Sequence, residues 1–258
     1  MFLSSILFSS ECWYGLKSEE IEELEKLDRI LLKFIFNVPD SVPSIALYLE
    51  SGCLTIGTLI KARRVNFLHT LANREDSEMH TKFFQHQWDH PSKLDWTEQV
   101  RKDLLDLGMP VSLEFAKSKS KEVFSNLVKK EIRKFELRRL VNKKKSKMVN
   151  LEYSELTMQN YLELKTMNRR QAIILFKFRV RMTPFKENFK AGEDRTLCPL
   201  CSLHVDSQGE SFTCSKITAI MEVKGKYHDI FGSKFSPELT KTLENIYLFR
   251  DEYRKLTS

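Results

Sequence analysis

Three cysteines carry the most specific chemistry in this chain of 258 residues: Cys198 and Cys201, three apart around Pro199, and Cys214 after a polar loop. Two thiolates at that spacing can reach one tetrahedral ion from a single tight turn. The third closes on them from beyond the loop, so the pattern reads as a knuckle for Zn²⁺. The fourth donor is the open question of the motif. A histidine four residues before the last cysteine is the usual partner, and Glu210 stands at that position. A carboxylate can ligate zinc but is a harder and rarer ligand in structural sites. His204 supplies the preferred imidazole, yet it follows Cys201 by three residues, and a tight turn must then bring consecutive ligands to one ion. The residues predict a weakened zinc site, with His204 slightly ahead of Glu210 as fourth ligand.

Charge supplies a second chemistry. The net charge is +7, but residues 117–147 hold thirteen Lys and Arg against three Glu, a local balance of +10 that leaves the rest of the chain at −3. Lys129, Lys130, Arg133, Lys134, Arg138, Arg139, Lys143, Lys144, Lys145 and Lys147 form the body of this patch. Such clustering points to an acidic partner, of which RNA or DNA is the commonest; an anionic membrane or a merely solvated helix face is the alternative. Few aromatic residues are interleaved here, which favours contact with backbone phosphates over stacking on bases.

Several enzyme classes lack their residues. Two-metal phosphoryl transfer needs a set of carboxylates around both ions, and the chain has no Asp-Asp pair. It has no Gly-rich phosphate loop and no Ser-His-Asp set, so no catalytic activity of its own is expected. His69, His80, His86 and His90 show no HExxH spacing and read as surface or half-buried packing. Cys12 and Cys53 have no adjacent activating base and read as small buried residues. The odd cysteine count, with three in one cluster, favours a reducing compartment.

The elements that must position these groups are helical. Eight Gly and seven Pro are few for this length, and an apolar fraction of 41% suffices for a core. The fold class expected is mainly α, a helical bundle or array with a small zinc-knuckle-like insertion near the C-terminus. Ser18 caps an amphipathic helix with Ile21, Leu24, Leu27, Leu31 and Ile35 at helical spacing. Short helices follow over 44–50 and 58–73, the latter burying Ile60, Phe67, Leu68 and Leu71. Asp95 opens a helix that Gly108 ends. Phe124, Leu127, Val128, Ile132 and Phe135 make one apolar stripe, with Lys129, Lys130, Arg133, Lys134 and Arg138 opposite. Another helix is expected over 154–164. Phe176, Phe178, Val180 and Met182 alternate with Lys177, Arg179 and Arg181 as in a strand, but Asn168 is a plausible N-cap and helix is preferred. Ser236-Pro237 starts a last helix whose face, Leu239, Leu243, Ile246 and Tyr253, can dock. The apolar start, Met1 to Phe8, lacks a basic region and a cleavage site, so it does not read as a signal peptide, and no stretch reaches the length of a membrane span.

Ser9-Ser10-Glu11-Cys12-Trp13-Tyr14, Pro43-Ser44-Ile45-Ala46-Leu47-Tyr48-Leu49-Glu50-Ser51-Gly52, Ile60-Lys61-Ala62-Arg63-Arg64, Asp95-Trp96, Leu107-Gly108, Met158-Gln159-Asn160-Tyr161-Leu162 and Leu197-Cys198-Pro199-Leu200-Cys201 occur in this order along most of the chain. Together they resemble the C-terminal region of a LINE-type, non-LTR retrotransposon reverse transcriptase. The resemblance implies a thumb-like region and a zinc knuckle without the catalytic palm, an internal segment of a longer protein, with the missing upstream polymerase domain as a possible partner. It implies that Lys177, Arg179, Arg181, Lys186 and Lys190, beside the knuckle, help grip a template, and that the protein is intracellular, nuclear or cytoplasmic. Four segments follow: a thumb-like segment over residues 1–75, a basic helical segment over 76–165, the basic stretch and knuckle over 166–218, and a docking helix over 219–258. Relatives of this kind can carry a restriction-like endonuclease after the knuckle; Glu222-Val223-Lys224 has its acid-x-Lys form with Asp206 upstream, a pattern short enough to arise by chance. The competing reading, from another class, is an inactive or co-opted helical module that binds protein.

Overall fold

The computed structural model of the protein describes residues 7–75, 78–93, 95–143, 148, 151–163, 167–183, 185, 197–232 and 236–257, with side chains up to residue 252. The described residues are mainly helical and contain no strand. In chain order the α-helices are α1 (Ser18–Phe36), α2 (Ser44–Ser51), α3 (Ile56–Ala72), α4 (Met79–Asp89), α5 (Trp96–Leu107), α6 (Leu113–Lys117), α7 (Lys121–Asn142), α8 (Asn160–Glu163), α9 (Arg169–Arg179), α10 (Ser215–Ile220) and α11 (Pro237–Thr257). No single helix among the described residues is long and apolar enough to cross a membrane. The chain forms two compact units that cut across the segments drawn from sequence: Met1–Leu31 with Cys53–Asn142, and Leu32–Gly52 with Lys143–Ser258.

In the first unit, α3, α5 and α7 share a core of Val65, Leu68, Val100, Leu104, Leu107, Phe124, Val128 and Ile132, extended by Phe84 and Trp88 of α4. The apolar stripe expected on α7 is therefore the buried one. Gly108 ends α5 at φ 68°, a left-handed conformation that glycine reaches without a Cβ clash. Asp95 does not cap α5 through its side chain; its carboxylate instead accepts the Ser92 N–H at 2.9 Å. Phe67 and Leu71 of α3 are only half-buried.

Two buried polar groups organise this unit. Arg64 donates from Nε to Asp103 Oδ2 at 2.7 Å, and Lys61 lies 3.4 Å from the other oxygen. Glu136, fully buried on α7, accepts the Thr55 N–H at 3.1 Å, the Thr58 hydroxyl at 2.9 Å and Arg139 Nε at 2.7 Å. Burial alone would raise the Glu136 pKa, but the Arg139 hydrogen bond and charge, together with the Thr55 donors, outweigh it and hold the carboxyl below its usual value of 4.5. A carboxylate depressed in the folded state gives stability that is fully present above about 4.5 and is lost as pH falls through the lower folded value. We therefore expect acid to narrow the stability gap between the parent and Glu136→Gln. Urea titrations at neutral and acid pH, followed by tryptophan fluorescence, check this; a gap independent of pH would refute it. The three tryptophans, Trp13, Trp88 and Trp96, all lie in this unit, so the probe reports on it alone.

In the second unit, α9 packs against α11. Ala46, Leu47 and Leu49 of α2, Ile174, Leu175, Phe176 and Phe178 of α9, and Leu239, Leu243 and Ile246 of α11 are buried, and the Phe36 and Phe176 rings lie 4.6 Å apart. The helix expected at α9 is the one found: Asn168 Oδ1 accepts the Gln171 N–H at 2.9 Å while the Gln171 side chain accepts the Asn168 N–H, closing a capping box. Ser236 Oγ likewise accepts the Leu239 N–H at 3.1 Å at the start of α11.

Three further expectations are corrected. Residues 154–159 are not helical, and α8 is a single turn. This segment is held from outside instead: Gln159 N–H donates to the Glu50 carbonyl at 3.0 Å, and the Thr157–Met158 backbone packs on Gly52. On α1, Leu27 and Ile35 are exposed while Leu32 and Phe36 are buried, because this helix carries apolar residues on more than one face and packing selects among them. Cys12 and Cys53 are exposed rather than buried.

Candidate metal centre and basic face

The knuckle is a short hairpin-like loop. Leu197 pairs with Val205 in an isolated antiparallel bridge, and Cys198 N–H donates to the His204 carbonyl at 2.6 Å. The chain turns back between them through Ser202 at φ 56°, with Ser202 N–H on the Cys198 carbonyl at 2.8 Å. Gln208, fully buried, donates to the Phe178 carbonyl at 3.2 Å and to Thr183 Oγ1, fixing the loop to the end of α9. Cys214 sits at the N-cap position of α10.

This geometry gathers the three sulfurs. The Sγ atoms of Cys198, Cys201 and Cys214 all lie within 4.8 Å of one another, with Cys198 and Cys214 at 4.0 Å. Sulfurs around a tetrahedral zinc with bonds near 2.3 Å are about 3.8 Å apart, so the trio could hold a metal ion with little movement. Cys198 and Cys214 are buried and Cys201 is partly exposed. The Leu203 and His204 N–H groups pull the Cys201 thiol down to about 7, whereas burial pushes Cys214 up. One thiol is thus poised to ionise at neutral pH and another resists until a cation compensates its charge.

Neither expected fourth ligand belongs to the group. His204 Nδ1 faces Glu210 Oε2 at 3.8 Å, both side chains are about half exposed, and among the described residues only the three cysteines form a metal-competent cluster. The physical reason is local. The backbone of His204 is tied to Cys198 while its ring stays in solvent, and Glu210 opens the 3₁₀ turn Glu210–Phe212, where its carboxylate accepts from Thr213. The buried group beside the sulfurs is one that sequence reading missed: Arg250 of α11 donates from Nη2 to Asp206 Oδ1 at 2.5 Å and reaches Cys198 Sγ from Nη1 at 3.8 Å. Asp206 is 2% exposed and paired with Arg250, and Glu222 lies 3.3 Å from Lys224.

The cationic residues lie in different environments. Lys129, Lys130, Lys134, Arg138 and Lys143 are exposed, and Arg133 is half-buried. Arg139 is spent structurally on Glu136 and Thr55. Lys177 lies against Tyr247, with Nζ 3.4 Å from its hydroxyl, and Arg181 is half-buried at φ 54°. Lys144, Lys145, Lys147, Lys186 and Lys190 lie outside the described residues.

Arg179 is the clearest correction, since a template-gripping residue must reach solvent and this one is 1% exposed. Its Nε bonds both Glu50 oxygens, at 3.1 and 3.0 Å, and its Nη1 donates to the carbonyls of Ile230 at 2.7 Å and Gly232 at 3.2 Å. The Tyr153 and Tyr161 hydroxyls donate to the same carboxylate at 2.5 and 2.7 Å. Burial and the Glu50 charge push both phenols far above their ordinary value, so each keeps its proton and donates it to Glu50. Burial opposes the Arg179 charge, but Glu50 more than restores it.

Comparison of the chain with protein-family models, with curated proteins and with solved structures finds no match.

Proposed function

We propose that the chain is a nucleic-acid-binding module corresponding to the C-terminal region of a LINE-type reverse transcriptase, and that its cysteine trio holds zinc. The observation that carries this reading is the two-sidedness of α7. Phe124, Val128 and Ile132 are buried on one side, and Lys129, Lys130, Lys134 and Arg138 stand exposed on the rest. Continued by Lys143, this is a row of cations that suits a phosphate backbone better than base edges. Three thiolates are a soft donor set that suits Zn²⁺ over Mg²⁺ or Ca²⁺. The second reading, a module that binds protein, draws on one specific feature: Leu27, Ile30, Phe34 and Ile35 of α1 are all exposed, Phe34 at 78%.

The two readings differ in salt dependence. Neutralising about five phosphates gives a log-log slope of affinity against salt near −4.5 on duplex DNA and near −3.5 on a single strand. We expect the full chain to show such slopes by fluorescence anisotropy, with RNA and DNA oligomers as probes. Changing Lys129, Lys130, Lys134, Arg138 and Lys143 to Gln should flatten the slope while leaving the circular dichroism melt intact. A parent that binds neither oligomer, or binds without salt dependence, would sink the nucleic-acid reading.

A further inference from the structure

We infer that the cysteine trio is a three-thiolate site whose fourth coordination position stays open to a neutral donor from outside the chain. The inference rests on the metal-binding reading above and extends it, because a closed structural site and an open one differ in chemistry: an open position keeps an exchangeable ligand.

Four observations point the same way. Among the described residues, the donors in reach of one another number three, all sulfur. The two side chains best placed in sequence to complete the set, His204 and Glu210, face each other instead of the sulfurs. Asp206, joined to the trio only through Arg250, is buried and held by that arginine. Cys201 leaves one side of the trio accessible, whereas Cys198 and Cys214 are buried.

Charge decides which donor fits the open position. A divalent ion with three thiolates carries −1, and Arg250 against Cys198 compensates only as far as Asp206 leaves it free to do so, since the Arg250–Asp206 pair is itself neutral. An anionic fourth ligand would bring the partly buried cluster to −2, and uncompensated charge there is costly. Water or an aromatic nitrogen leaves it at −1. Of these two, zinc's preference for nitrogen and sulfur donors favours the aromatic nitrogen, of which the side chain of a histidine on a partner is the protein form and free imidazole the simplest probe.

Cobalt tests this on the full chain, because its visible ligand-field bands report the donors. After loading with Co²⁺, we expect thiolate charge-transfer absorption together with a ligand-field band that shifts saturably as imidazole is added, with one imidazole per cobalt. Acetate should leave the band in place. His204→Ala and Glu210→Ala should give the same starting spectrum and the same imidazole response as the parent, with cobalt retained on the protein throughout. A band insensitive to imidazole, or one that changes when His204 or Glu210 is removed, would show that the chain closes its own site; the zinc reading would survive and the open position would not. Failure to bind cobalt at all would overturn both.

Discussion

Arg179→Met should loosen the second unit by about 3–5 kcal/mol, the cost of leaving a buried carboxylate without its cation. Glu50 is fully buried and would keep only the two tyrosine hydroxyls, while the Ile230 and Gly232 carbonyls would lose their shared donor. Hydrogen exchange of the α2 and α9 amides measures the effect directly. Tryptophan fluorescence, confined to the first unit, serves as the internal reference. Adding Glu50→Leu should recover some of the loss, since replacing both members of a buried pair by apolar groups removes the stranded charge. Protection of α2 and α9 that stays within about 1 kcal/mol of the parent would mean that the pair does not anchor these helices.

Gly52→Ala should cost a comparable amount by a different route. Gly52 ends α2 at φ 67°, and a Cβ there would sit 2.3 Å from the backbone of both Thr157 and Met158. The left-handed conformation costs an alanine about 1–2 kcal/mol. Displacing packed backbone costs about 1–3 kcal/mol more. The displacement also pulls on Gln159, whose N–H holds the Glu50 carbonyl. We expect exchange protection to fall in α2 and in the amides near Gln159. Gly108→Ala, at the same kind of left-handed position but with open space around it, should cost only the conformational component. Equal losses at the two glycines would refute the close-approach argument.

Much of the fold was readable because its signals are local. The Asn168 and Ser236 caps, the Gly108 stop and the buried stripe of α7 each depend on residues within a few positions of one another. The misreadings have equally physical causes. A helix was expected over 154–164, but residues 157–159 are committed to Glu50 and Gly52, and α1 offers several apolar lines between which local periodicity cannot choose.

The chain alone determined a mainly helical protein, the spacing that brings Cys198 and Cys201 into one turn, and the one-sided charge of α7, because side-chain periodicity and thiol spacing are properties of neighbouring residues. Only the tertiary structure decided which charges meet. Arg179 finds Glu50 across 129 positions, Arg250 finds Asp206 across 44, and Glu136 finds Thr55 across 81. A lysine or arginine looks the same in sequence whether it faces solvent or a buried carboxylate. The difference is the desolvation of its charge, which exists only once distant segments have packed around it. The placing of His204 was decided in the same way, by a backbone pairing with Cys198 that leaves its side chain half exposed and facing Glu210.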